Sequence, residues 1–136
     1  MKKIIINITL VISSLVAYSQ AILTPTESGV DFYKTTENNK YMTIAVDGQY
    51  TEEGFTEVYI YFENGILLQK KDIYISVFKT GKKDVYENYA MFEVSDSEIK
   101  LLSENKITDV SINKNDKKIT NFSAEKIKVF AKCLLN

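Results

Sequence analysis

The sequence predicts a mainly β domain of the α+β class, in which an antiparallel sheet of about six to eight strands packs against helices. Apolar and polar side chains alternate with period two in several segments between residues 30 and 94. Polar turn sequences separate these segments, and Asn64-Gly65 is the clearest of them. Helical spacing then replaces the alternation twice, which predicts a short helix near 96–104 and an amphipathic C-terminal helix near 124–135.

The first predicted strands are runs of β-branched and aromatic residues, from Val30 to Thr36 and from Lys40 to Val46. Residues 47–55 form a longer predicted loop, after which Phe55 to Glu63 begins the most clearly marked hairpin. Asn64-Gly65 closes this hairpin, because both residues tolerate the positive φ angles that a type I′ turn requires.

Alternate side chains of the strand before this turn belong to opposite faces of the sheet. Val58, Ile60 and Phe62 point one way, and Glu57, Tyr59, Tyr61 and Glu63 point the other. Ile66 to Gln69 leads out of the turn, and Lys70-Lys71-Asp72 is either another turn or a bulge within one long strand. Ile73 to Lys79 and Val85 to Val94 form the next predicted hairpin, around residues 80–83.

Two predicted helices enclose a last hairpin. Ser95-x-x-Glu98 is a capping-box pattern and predicts a helix from Asp96 to Glu104. Ile107 to Asn113 and Lys118 to Phe122 are the predicted strands of the hairpin, with a turn at residues 114–117. Ser123 is the predicted cap of the final helix, whose apolar stripe has helical spacing. The stripe consists of Ile127, Phe130, Ala131 and Leu134.

The N-terminus has the order of a cleaved Sec signal peptide. Lys2 and Lys3 precede an uncharged segment from Ile4 to Ala17, and Ala17-Tyr18-Ser19 places small residues before a cut. A membrane anchor is the alternative, but the segment is shorter than the roughly 20 residues that span a bilayer. We therefore expect a signal peptide at 1–19, a flexible leader at 20–29 and one globular domain at 30–136, without stable membrane insertion after cleavage.

Export to the periplasm, the cell surface or the medium follows from this prediction. The leader, with its Ser-Gln junction, resembles those of exported proteins from AT-rich Gram-negative bacteria. This resemblance covers the leader alone and implies no activity.

Composition narrows the function. Removal of the signal peptide leaves 15 lysines against 18 acidic residues, a net charge of −3, which does not suit nucleic-acid binding. The chain contains no His, so the usual zinc sites and Ser-His or Cys-His pairs are excluded. We expect neither a cofactor nor a catalytic or metal site. The single cysteine, Cys133, is interpreted as a small apolar residue near a helix end, with a free reactive thiol as the alternative.

Carboxylates offer two further alternatives. The acidic loop Glu52-Glu53, with Glu57 nearby, could hold a calcium ion, although no calcium-loop motif is present and a solvated loop is the favoured interpretation. Glu52 with Glu87 or Glu93 could in principle form a glycosidase pair, although no spacing singles one out. A carboxylate-dependent hydrolase therefore stays a minor hypothesis.

The best candidate for a binding surface is a set of aromatic residues on the predicted strands. Its members are Tyr59, Tyr61, Tyr74, Phe78 and Tyr86. If exposed, these rings would form a flat platform for sugar rings or a partner strand; alternatively, a helix or second sheet covers them. The favoured hypothesis is a non-catalytic domain that binds a protein partner, and the alternative is a module that binds a surface glycan.

Overall fold

The computed structural model describes residues 28–135 together with the two-residue strand Gln20–Ala21. The predicted signal peptide and the part of the predicted leader at 22–27 lie outside the described residues. The elements in chain order are β1 (Gln20–Ala21), β2 (Val30–Lys34), β3 (Lys40–Gly48), β4 (Gly54–Phe62), β5 (Leu67–Lys79), β6 (Tyr86–Glu93), α1 (Asp96–Glu104), β7 (Ile107–Ile112), β8 (Asn115–Lys118) and α2 (Asn121–Leu134). The predicted fold class is confirmed.

All eight strands belong to one antiparallel sheet with the order β1-β2-β3-β6-β5-β4-β7-β8. The sheet curls, so that β8 approaches β3 although the two strands are far apart in this order. The Asn115 side chain joins them, because its Oδ1 accepts from Gln49 N at 3.1 Å and its Nδ2 donates to Gln49 O at 3.1 Å. Gly48 permits this approach, since a Cβ there would lie 2.3 Å from Asn115 Oδ1.

The core lies between the concave inner face of the sheet and the two helices. α2 contacts α1, β2 and β7, and so holds the helical layer against the sheet. Burial of these apolar side chains is the main favourable contribution to folding. The largest fully buried side chains include Phe32, Met42, Ile44, Ile60, Ile75, Ile99, Leu102, Ile107, Ile112, Ile127 and Leu134.

The hairpin between β4 and β5 differs from the predicted type I′ turn. Its loop has three residues, because Gly65 N donates to Phe62 O at 3.1 Å and Phe62 N donates to Ile66 O at 3.0 Å. Gly65 has a φ of +85°, whereas Asn64 is not in the positive-φ region. This is a type I turn followed by a left-handed residue. The Asn64 side chain accepts from Ile66 N at 3.2 Å and donates to Asn105 at 2.7 Å.

Residues 70–72 form a bulge within one long strand, the second of the two alternatives. Thr56 pairs with Ile73 whereas Val58 pairs with Lys70, so Lys71 and Asp72 together face a single residue of β4. Asp72 takes a φ of +58° at this point. The extra residue lets the apolar side chains of β5 reach the inner face on both sides of the bulge.

The last hairpin is shifted toward the N-terminus from its predicted position. Asn113 and Lys114 have φ angles of +51° and +69°, as the two central residues of a type I′ turn require. The return strand therefore occupies 115–118 and leaves Thr120 free to cap α2, where its Oγ1 accepts from Ser123 N at 3.2 Å. The predicted strand at Lys118–Phe122 and the predicted cap at Ser123 are both wrong.

The two helices are otherwise as the sequence indicates. The capping box of α1 is confirmed, since Glu98 N donates to Ser95 Oγ and Ser95 N donates to Glu98 Oε1. On α2, Ile127, Ala131 and Leu134 are fully buried and Cys133 is exposed. Within the part of the chain that the structure describes, no helix is long and apolar enough to cross a bilayer.

Candidate functional site

The sheet has an outer face that turns away from the helices. Period-two alternation on β4 sends Val58 and Ile60 into the core, so Tyr59 and Tyr61 point outward. Registered neighbours extend the same face across the sheet: Phe55 is opposite Tyr74 on β5. The structure therefore brings four of the five predicted residues, Tyr59, Tyr61, Tyr74 and Phe78, to one surface.

This face is exposed, and no element among the described residues covers it. Phe55 exposes 74% of its surface, Phe78 51%, Tyr74 49% and Tyr61 40%. Leu67 and Met91, also outward on β5 and β6, are similarly exposed. Large apolar side chains on one contiguous surface are typical of a binding site rather than of an ordinary solvated face.

The rings on this face meet in pairs. Tyr59 and Tyr61 are stacked, with centroids 6.4 Å apart and an interplanar angle of 21°. Phe55 and Tyr74 meet edge to face at 5.3 Å and 78°, and Phe78 and Tyr89 do so at 6.5 Å and 68°. We name this surface the outer aromatic face, and its members are Phe55, Tyr59, Tyr61, Tyr74, Phe78 and Tyr89.

Sequence reasoning included Tyr86 and missed Tyr89 and Phe55. Asn88 and Ala90 are fully buried, so Tyr86 shares their inward side of β6, and its ring contacts Tyr50 at 5.3 Å. Tyr89 has the opposite parity and faces outward. Alternation within β6 could have corrected the choice, because Tyr89 shares its parity with the polar residues Glu87 and Glu93.

Hydrogen bonds fix the Tyr59 ring at the β4 edge of this surface. The Tyr59 hydroxyl donates to Glu57 Oε1, which also accepts from Gln69 Nε2 at 2.8 Å. The bonds from Tyr59 and Gln69 lower the pKa of Glu57, so this carboxylate is ionised at neutral pH. The bond to Glu57 in turn raises the pKa of Tyr59.

At the β6 end of this surface, the pKa values of Tyr89 and Glu87 are raised. Burial, followed by the Asp31 charge, raises the pKa of Tyr89 to about 12. Burial and then Asp47 raise the pKa of Glu87, and Asp47 is its direct register partner on β3. The sheet thus holds two carboxylates opposite each other beside the Phe78 and Tyr89 rings, an arrangement that costs stability.

A cleft of about 730 Å³ adjoins the outer aromatic face at Phe55 and Tyr59. Its remaining walls come from the β3–β4 loop, the β5 bulge and the β7–β8 turn. Asn88, fully buried, accepts from Thr51 Oγ1 at 2.6 Å, and Asn113 donates to the same Thr51 hydroxyl at 3.1 Å. This chain of bonds fixes the loop that forms the cleft wall.

The structure brings together only part of each carboxylate set that the sequence suggested. Glu53 Oε2 accepts from Val77 N at 2.9 Å, so this side chain holds the loop against β5. The cleft is lined by Glu52, Glu57 and Asp72, but neither Glu87 nor Glu93 belongs to its lining. Among the described residues, no group of three or more acidic, His or Cys side chains is arranged to hold a metal ion.

Comparison with protein-family models, with curated proteins and with solved structures found no match to this chain. The site is therefore defined by its own geometry: an exposed aromatic surface with a polar cleft at one end.

Proposed function

We propose that this protein is a small exported domain, without catalytic activity, that binds a protein partner on its outer aromatic face. The observation that carries the proposal is the exposure of four large rings, Phe55, Tyr61, Tyr74 and Phe78, on one rigid sheet. Exposed aromatic side chains cost solubility, and they supply most of the binding energy where they enter a protein interface.

The ring geometry favours a protein partner over a surface glycan. Two of the three ring pairs are nearly perpendicular, so the rings do not make the flat platform on which sugars stack. Phe55 to Tyr61 alone extend over about 20 Å along β4, and the surface continues onto β5 and β6. A partner that covers it would bury roughly 800 Å² on each side.

The carboxylate positions do not favour the hydrolase alternative. A glycosidase needs an acid of raised pKa within about 6.5–9.5 Å of an ionised partner, or closer. Of the predicted pairs, Glu52 lines the cleft, whereas Glu87 and Glu93 do not. Of the other carboxylates on the outer face, Glu57 has a lowered pKa and Glu87 a raised one. Glu87 is opposite Phe78, whereas Glu57 lies beside the bulge at Asp72, about 20 Å away along β5.

Export is the first testable part of the proposal. We expect the intact mass of the protein from its native cells to correspond to a chain that begins at Gln20. Ser19-Gln20-Ala21 is a second pattern with small residues before a cut, and its use would give a chain that begins at Ile22. Intact-mass spectrometry of envelope, medium and cytoplasmic fractions measures this directly. A chain that begins at Met1 in the soluble cytoplasmic fraction would contradict export.

Docking is the second part, and it is tested with a C-terminally tagged chain purified from the native envelope. We expect Tyr74→Ser/Phe78→Ser to weaken capture of the partner about 30-fold, because central aromatic anchors contribute about 2 kcal/mol or more. The matched control is Phe122→Ser/Val129→Ser, which removes two equally exposed apolar side chains from α2.

The two variants separate the alternatives when the affinity of the captured protein is measured by calorimetry. Loss of binding in the sheet variant alone supports the proposal. Equal binding by the wild type and the sheet variant shows that the outer aromatic face is structural. A glycan-array signal that disappears in the sheet variant, with no protein captured, establishes the glycan alternative.

A further inference from the structure

The outer aromatic face is interleaved with negative charge. The outward positions of β2 to β6 carry acidic side chains next to the rings, whereas Lys71 is the lysine among them. The carboxylates on these strands are Asp31, Asp47, Glu57, Asp72, Glu87 and Glu93. A surface of this kind presents apolar area and negative potential together.

Several lysines of the domain lie on or beside the helices, on the other side of the sheet. Lys40 pairs with Asp96 at 2.9 Å, and Lys106 pairs with Glu125 at 3.4 Å. Lys126 lies 4.3 Å from the centre of the Phe122 ring on α2. The outward positions of β2 to β6 therefore carry more negative than positive charge, although lysines also adjoin this surface. Lys114 lines the cleft, Lys117 acts on Glu87, and Lys118 pairs with Asp109 at 3.5 Å.

One acidic pair on this face, Asp47 and Glu87, is unfavourable for the isolated domain. The two residues are direct cross-strand partners, and like charges in that position repel each other. Lys117 acts against this repulsion, but the pKa of Glu87 stays raised. Burial is the main cause of the raised pKa of both Tyr33 and Tyr89, and the charge of Asp31 is the second. The Asp31 charge therefore acts on this same face. A cation bound beside these carboxylates would relieve the repulsion, and the neighbouring Phe78 and Tyr89 rings offer faces for cation–π contact.

We infer that the partner presents a Lys- and Arg-rich surface to the outer aromatic face. The aliphatic stems of these side chains pack on the rings while their charged ends meet Asp47, Glu57 and Glu87. The inference rests on the proposed function and adds the chemical class of the partner. It commits to a basic protein surface, because an acidic or neutral partner would leave these carboxylates repelled or desolvated.

Defined peptides test the inference with the protein purified from its native envelope. The probe is a peptide in which Arg and Tyr residues are separated by Ser and Gly. Two control peptides have the same sequence with Glu or with Gln in place of every Arg. We expect only the Arg peptide to bind. In NMR spectra of the protein, it should change the backbone amide chemical shifts only at the outer strand positions around Tyr74, Phe78 and Tyr89. Its affinity should fall as salt is added, because the contacting charges are exposed.

Charge variants locate the interaction. Asp47→Asn/Glu87→Gln should weaken binding of the Arg peptide about three- to tenfold. The same variant removes a repulsive pair, so it should unfold at a temperature no lower than that of the wild type. The matched control is Glu37→Gln/Glu104→Gln, which neutralises two exposed carboxylates away from this face and should leave the affinity unchanged.

Each result decides for or against the inference. It is overturned if none of the peptides binds, if the Glu or Gln peptide binds as well as the Arg peptide, or if both variants weaken binding equally. The proposed function fails separately, through the Tyr74→Ser/Phe78→Ser variant. Partner capture that needs these rings but is insensitive to Asp47→Asn/Glu87→Gln would leave the docking surface established and its basic partner excluded.

Discussion

Ile60→Ala should lower the free energy of unfolding by about 2–5 kcal/mol, whereas Tyr61→Thr should lower it by less than about 1 kcal/mol. The two residues are neighbours on β4 but point to opposite faces. Ile60 is completely buried beneath the helices, so its truncation leaves a cavity among packed side chains. Tyr61 is 40% exposed, and threonine at its position provides a β-branched side chain suited to the strand.

Urea unfolding of both variants, followed by circular dichroism, measures the two costs side by side. The comparison bears directly on the binding surface, because it reports which face of the sheet is packed. If Tyr61→Thr costs as much as Ile60→Ala, another part of the protein covers the outer face, and the surface on which both proposals rest does not exist.

The strand pattern of the domain was predictable because the side-chain period is a local property. On β4 the sequence assigns Ile60 and Tyr61 to opposite faces, and their burial agrees. The capping box at Ser95 and Glu98 was equally readable, since the four residues concerned determine the geometry among themselves. Such elements need no knowledge of the tertiary structure.

Turn geometry was less predictable, because it depends on which residue accepts a positive φ. Asn113 and Lys114 both do so, and lysine is not a residue that composition associates with this conformation. Because the turn lies at these two residues, both β8 and α2 begin earlier in the sequence than predicted. At Asn64 the error was the reverse: a residue suited to positive φ keeps a negative one and uses its side chain to contact Asn105 instead.

The outer aromatic face was predicted in outline because side-chain alternation is a local property. Tyr59 and Tyr61 were assigned to one face by alternation within their own strand. Alternation within β6 assigns Tyr89 rather than Tyr86 to this face, because Glu87 and Glu93 share the parity of Tyr89. The acidic pair Asp47 and Glu87 was not predictable in this way, because its members lie 40 positions apart in the sequence and become partners only through the register between β3 and β6.

Glu98→Ala should lower the free energy of unfolding by about 1.5–3 kcal/mol, because this one carboxylate makes both capping and ion-pair contacts. Its Oε1 accepts from Ser95 N at 2.9 Å, and its two oxygens accept from Lys70 Nζ at 2.9 and 3.0 Å. The Lys70 ammonium is mostly buried and lies 5.7 Å from the Phe92 ring centre. Alanine would leave that buried cation without its carboxylate.

Lys70→Met/Glu98→Gln is the matched control, because it removes both charges, keeps the apolar stem on the inner face and retains a side chain able to complete the capping box. We expect it to stay within about 1 kcal/mol of the wild type in urea unfolding at pH 7, as neutral replacements of buried pairs often do. A double variant as unstable as Glu98→Ala would assign the loss to something other than the unpaired lysine.

The contribution of the Glu98 carboxylate to the free energy of unfolding should depend on pH. Burial raises the pKa of Glu98, but the bonds from Ser95 and Lys70 outweigh it and hold the pKa below its ordinary value of 4.5. The ionised form therefore contributes stability above pH 4.5 that is lost as the pH falls through the folded-state pKa. The difference in unfolding free energy between the wild type and Glu98→Gln should shrink over that acid range, and a difference that stays constant down to the lowest pH at which the domain is folded would show that Glu98 acts there without its charge.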